Sequence, residues 1–238
     1  MRTVAETPLG GFPLWLTVVA SGSLVVSMLC AAVVAVDVAR RPQRMRVMNI
    51  VWPVSMLFGG LLWLALYRRH RRASAADAVS TPLSIAVGST HCGAGCALGD
   101  LIAEFAVATS PALAGALGFG TVFAHRMFAG WILDFVVAYL LGIGFQYFAI
   151  APMRGLSLRE GVLAAMKADT LSITAWQIGM YGVMALLQLG VVAPAFGGPA
   201  SVFTPEFWFV MQIAMLGGFL TAYPANAWLI RLGVKEPM

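Results

Sequence analysis

The stretch STHCGAGCALGDLIAE, residues 89–104, places one histidine, two cysteines and two carboxylates in a chain that is 60% hydrophobic and 11% charged. Its setting decides the fold. The flanking residues from Pro82 to Gly88 and from Phe105 to Thr109 carry no charge, so the whole segment from about 82 to 109 reads as one buried helix. Charged groups inside such a helix are costly unless they are paired, hydrated or bound to a cation.

Outward from this segment the same character recurs. Mean hydropathy is +0.86, and several runs are long enough to cross about 30 Å of hydrocarbon at roughly 1.5 Å per residue. Helices are expected near 12–37, 48–67, 82–109, 128–152, 171–192 and 207–231, which gives an all-α, polytopic membrane bundle of about six transmembrane helices. Gly88, Gly93, Gly95 and Gly99 predict a kinked or closely packed third helix. Residues 111–125, with Pro111, Gly115, Gly118 and Gly120, read as an irregular or re-entrant connection or a short further span, and 193–205 as a loop.

The chain is read as a single integral membrane domain, 1–238. Within it, 1–67 forms a two-helix hairpin, 68–81 a basic loop and 82–238 a four-helix core that carries the His-Cys motif. Phe12 to Val36 is too long for a signal-peptide core, and the leucine before Cys30 suits a lipoprotein site poorly. Three cysteines without an extracellular framework argue against a disulfide scaffold.

With six crossings, one face collects Arg2, Arg68, Arg69, Arg71, Arg72, Arg154, Arg159, Lys167, Arg231 and Lys235. The other collects Arg40, Arg41, Arg44, Arg46 and Arg126. This asymmetry places both termini in the cytoplasm of a bacterial inner membrane. The four arginines at 40–46 fit poorly, which leaves two alternatives: their loop lies in the interface, or the 48–67 helix does not cross fully. The basic residues flank spans, so the net charge of +5 points to topology and not to nucleic acid.

On a helix Cys92, Cys96, Asp100 and Glu104 form an i, i+4, i+8, i+12 stripe, with His91 rotated away from the thiols unless the glycines unwind the chain. Three readings compete. In the first, His91, Cys92 and Cys96 ligate a soft transition metal, Cu(I) first and Zn(II) second, with Asp100, Glu104 and Asp134 as secondary acidic or proton-coupling groups. Two Met-x-x-x-Met pairs, Met180/Met184 and Met211/Met215, would extend the donor set, and the protein would bind or transport the ion. In the second, the small residues and paired polar groups hold helices together in a nonenzymatic assembly subunit, whose partners are the bilayer and either a second copy or another subunit. In the third, Cys92 and Cys96 serve a membrane thiol oxidoreductase, although their spacing lies at the long end of disulfide geometry.

Gln146, Gln177 and Gln212 read as interhelical hydrogen-bonding groups, and Lys167 with Asp169 as an interfacial charge pair. No Gly-x-Ser-x-Gly, phosphate loop or His-Glu-x-x-His is present, so no standard catalytic constellation points to an enzyme, and the thiol oxidoreductase is the one enzymatic alternative that stays open.

The segments RPQRMRVMNIVWPVSMLFGGLLWLALY, GSTHCGAGCALGDLIAE, DFVVAYLLGIGFQYFAIAPMRGLSLREGVLAAMKADTLSITAWQIGMYG and TAYPANAWLIRLGVKEPM together resemble a bacterial multi-pass membrane family catalogued as a domain of unknown function. The resemblance runs from about residue 37 onward. It implies a helical membrane fold with His-Cys-Gly-x-Gly-Cys-x-x-Gly-Asp, His91 to Asp100, as its signature, and it implies no substrate.

Overall fold

A computed structural model describes residues 11–235, and the described chain is entirely helical apart from its connections. The elements are α1 (Leu14–Arg40), α2 (Met48–Ala75), α3 (Thr81–Thr109), α4 (Pro111–Ala116), α5 (Arg126–Arg154), α6 (Leu158–Leu187), α7 (Ala193–Phe196) and α8 (Pro205–Arg231). A π turn, Gln188–Val192, joins α6 to α7. Six helices are long and apolar enough to cross a membrane. Apolar side chains of α1, among them Leu14, Trp15, Met28 and Leu29, remain exposed on its outer face, as a lipid-facing helix requires.

One of the six does not run straight. At Gly60 the backbone takes φ 50° and ψ −129°, a conformation open to glycine and strained for other residues. Beyond it α2 returns along itself. The Trp52 and Tyr67 rings meet at 5.1 Å and those of Trp52 and His70 at 5.6 Å. In a straight helix the first of these pairs would be about 22 Å apart. At the tip Trp63 folds onto Gly59 and packs against Phe58 at 5.2 Å. Tyr67 hydrogen-bonds Asp37, and Arg71 reaches Asp37 at 3.8 Å and the Arg41 carbonyl at 3.4 Å, so α2 ends where it began, beside the end of α1.

The other five long helices cross the bundle end to end. α1 and α8 run parallel, tied by Thr17 donating to Glu206 at 2.5 Å and by Ser23 and Gln212 at 2.7 Å. Tyr223 near the end of α8 reaches the Pro82 carbonyl at the start of α3. Residue 11 and residue 235 therefore lie at opposite ends, where six full crossings would put them on one face; the termini themselves lie outside the described residues. The arginines at 40–46 and 68–72 share an end with Arg154, Arg159 and Arg231, while Arg126 stands at the other. The misfit of the arginines at 40–46 disappears for that reason. Arg2 lies outside the described residues.

Four further differences have local causes. α3 is helical throughout, so of the two expectations for its glycines close packing holds, and the sharp break lies in α2. Residues 68–75, expected as loop, belong to the returning arm of α2. Residues 111–125 neither span nor re-enter; they form the short α4 and a set of turns at one end. α6 begins at Leu158 and not near 171, because Ser157 and Glu160 form a capping box that starts the helix a full three turns earlier.

The core is held by close backbone approach. A Cβ on Gly99 would stand 2.8 Å from the Ala138 Cα, and one on Gly95 would stand 3.1 Å from the Gly142 Cα, so α3 and α5 pack through small residues. Trp176 of α6 fills the space left by Gly93 of α3 and Gly218 of α8. Gly60→Ala should cost on the order of 1–3 kcal/mol, since the strained φ is joined by a Ser27 Oγ contact at 3.1 Å. Thermal unfolding in detergent reads this; an unchanged midpoint would mean that the reversal tolerates a side chain.

Candidate functional site

The α3 stripe faces α5, α6 and α8, and it is enclosed. His91, Cys92 and Cys96 are 0% exposed, Asp100 is 1% and Glu104 is 7% exposed. From Cys92 to Glu104 the stripe climbs about 18 Å. Two polar clusters lie along it.

The first is nearer the basic end. Cys92 Sγ donates to Asp169 Oδ1 at 2.9 Å, Lys235 Nζ donates to the same oxygen at 2.6 Å, and the ammonium lies 3.2 Å from the sulfur. Lys235 comes from the turn after α8, where its backbone N–H bonds the Leu229 carbonyl. Burial alone would lower the Lys235 pKa, but Asp169 and Cys92 outweigh it and the net shift is upward. Alongside, Asn226 bridges Ser172 and Ser89. His91 packs edge-on against Phe145, and neither ring nitrogen has a side-chain or backbone partner in good hydrogen-bond geometry. Asp169 Oδ2 is likewise without one.

The second cluster is about two turns further along. Asp100 of α3 and Asp134 of α5 lie within hydrogen-bonding reach of each other. Tyr181 donates to Asp134 Oδ2 at 2.6 Å and Gln177 donates to the same oxygen at 3.2 Å. The antiparallel α3–α5 pairing makes this contact possible: Gly95 meets Gly142 and Gly99 meets Ala138, which holds the two backbones close where Asp100 and Asp134 follow along the seam. A contact between two carboxyl groups holds only with a proton between them. Glu104, one turn beyond, shares the wall of a small cavity with Arg126 and Gln188.

The expected metal ligands are not gathered at one point. Among the described residues no three His, Cys, Asp or Glu side chains converge as they would around a metal ion. Cys92 is engaged by Asp169 and Lys235, Cys96 packs in the apolar core, and His91 faces Phe145. Met180, Met184, Met211 and Met215 are all buried in one continuous core, where Met215 Sδ accepts the Trp176 indole N–H at 3.4 Å. Met28, Met211 and Met215 line a cavity of about 270 Å³ between α1, α2, α3 and α8, and Asp100 forms part of its wall.

Sequence reasoning missed Asp169, Lys235 and Tyr181. The signal for Asp169 was the capping box, which puts it on a buried helical face. For Lys235, a cation a few residues past an apolar helix, nothing in the sequence tells interface from interior.

A family model described as a domain of unknown function, DUF4396, matches residues 83–235. No curated protein and no solved structure matches. The matched region begins after the α2 hairpin and takes in α3, α5, α6, α8 and Lys235, so both polar clusters fall inside it.

Proposed function

This chain belongs to the DUF4396 family, and from a family description that names no activity we propose that it is an integral membrane protein that passes protons through its bundle. The observation that carries the reading is the Asp100–Asp134 pair, two buried carboxyl groups in contact, held by Tyr181 and Gln177. Maintaining such groups at this depth is expensive, and intramembrane carboxylates mark proton and ion pathways. The stripe continues the pair in both directions, to Glu104 on one side and to Cys92, His91, Asp169 and Lys235 on the other. Cys96 lies between the clusters. On the positive-inside argument the basic end, with Lys235, faces the cytoplasm of a bacterial inner membrane, and residue 11 faces the opposite compartment.

The test is proton flux into liposomes under an imposed potassium diffusion potential, read with an enclosed pH dye. Wild-type protein should conduct, and Asp100→Asn or Asp134→Asn should lower the rate by about a hundredfold, the scale of losing one positioned proton-transfer group. Wild-type vesicles no leakier than empty ones would remove the proposal.

The soft-metal reading stays as the second, supported by one observation, the three thioethers and the Asp100 carboxyl around the 270 Å³ cavity. Anaerobic Cu(I) and Zn(II) stoichiometry on purified protein, beside Cys92→Ser/Cys96→Ser and Met211→Leu/Met215→Leu variants, tests it. Binding lost only in the methionine variant would place the ion in that cavity; binding lost in the cysteine variant would restore His91, Cys92 and Cys96 as ligands. No binding and no flux would leave the assembly-subunit reading.

A further inference from the structure

We infer that the basic end holds a binding site for a phosphate-bearing anion, in the gap between the α2 hairpin and α5. The gap is a cavity of about 910 Å³. Arg41 and Arg44, from the connection between α1 and α2, form one wall; His70, Arg71 and Arg72, from the returning arm of α2, form the other. The reversal at Gly60 is what brings the two groups together. A straight α2 would put them on opposite faces of the bundle.

The charges in the lining are not balanced from within. Asp77 is the acidic residue there, and its contact with Arg44, at 3.7 Å between two exposed side chains, is weak. Arg71 is committed to Asp37 and to the Arg41 carbonyl. Among the described residues no carboxylate lies within ion-pair distance of Arg41 or Arg72. Guanidinium groups match phosphate oxygens in pairs, and a group of them in a recess concentrates anions.

A second feature is independent of the surface charge. The floor is made of Val87, Ala149, Ile150 and Gln146. Gln146 is 1% exposed, yet its Oε1 has no hydrogen-bond partner, so the recess contains a buried polar atom that a ligand or its hydration can satisfy. Solvated arginines that merely satisfy the positive-inside rule need no such floor.

The walls also suggest how a ligand enters. The α2 hairpin packs on α1, α3 and α8 but forms no extended contact with α5. The gap thus opens sideways as well as toward the end. An anionic lipid, with its phosphate under the arginines and its glycerol and first methylenes on the apolar floor, uses the whole lining. A soluble phosphate compound uses only the arginines.

The experiment is a titration of delipidated, detergent-purified full-length protein with phosphatidylglycerol in mixed micelles, with phosphatidylcholine and inorganic phosphate in parallel, read by native mass spectrometry and thermal midpoint. Arg41→Gln/Arg72→Gln removes two exposed cations of the lining; Arg159→Gln/Arg231→Gln removes two from the same end outside it; Gln146→Leu alters the floor without changing charge. Phosphatidylglycerol should bind the wild type and the outside variant alike, and about tenfold more weakly to the other two. Binding of inorganic phosphate with the same pattern, and none of phosphatidylglycerol, would assign the site to a soluble phosphate. Equal weakening by both arginine pairs, or no selectivity for phosphatidylglycerol or phosphate in the wild type, would overturn the inference.

Discussion

Lys235→Ala is expected to lose about 3–5 kcal/mol of stability, the scale of removing one partner from a buried ion pair. The substitution leaves Asp169 facing Cys92 in an enclosed pocket, with one of its oxygens already unpartnered. Either the carboxylate takes up a proton or water enters, and both weaken the native state. The double variant Asp169→Asn/Lys235→Met should recover most of the loss, because it deletes both charges together. Thermal unfolding in detergent measures the stability. Alkylation of Cys92, with Cys30 and Cys96 replaced by alanine, measures the opening. The single variant should label faster than wild type, and a Lys235→Ala protein with wild-type midpoint and labelling rate would show that the contact is incidental. The upward Lys235 shift fixes the sign with pH: the contribution is complete below the ordinary lysine value and fades only as pH rises past the folded one. Near neutrality it should not vary.

Gly99→Leu is expected to be the most damaging single change on the α3–α5 seam, by about 3 kcal/mol or more. Its first side-chain carbon would collide with backbone, the Ala138 N and Cα both at 2.8 Å, and backbone cannot rotate aside. The helices must separate, and Asp100, the next residue of α3, reaches Asp134 across the same seam. Loss of stability and loss of proton flux should therefore appear together. Gly22→Leu is the comparison: Gly22 is exposed on α1 and a Cβ there meets nothing within 4 Å, so its effect should be small. If both variants unfold alike, the seam is not what holds α3 to α5.

The helices were largely legible because a bilayer imposes a coarse rule, and long uncharged runs satisfy it. The path of α2 was not. Gly59 and Gly60 stand in the sequence, but a pair of glycines in an apolar helix more often serves packing than reversal. What pointed to the reversal was charge, since Arg40, Arg41, Arg44 and Arg46 sit on the wrong face of a six-crossing chain. The site was half legible. Asp100 and Asp134 could be marked as needing partners, but that they partner each other depends on the register of two antiparallel helices. Asp169 reads as interfacial if α6 starts near 171, and the Ser157–Glu160 box is the local signal that moves its start to Leu158 and Asp169 into the bundle.

The tip of the α2 hairpin bears on how the protein is made. Gln212 of α8 donates to the Leu57 carbonyl at 2.8 Å and to Ser27 at 2.9 Å, just where the chain turns back at Gly60. In hydrocarbon a bent backbone needs such a partner. During synthesis α1 and α2 emerge first and α8 last, so the hairpin meets the membrane before the side chain that completes its tip exists. Until then the turn at Gly60 has no partner from α8. The same late segment brings Lys235 to Asp169. Nascent chains truncated before Gln212 should accordingly leave residues near Gly60 open to water-soluble labels, and full-length chains should not.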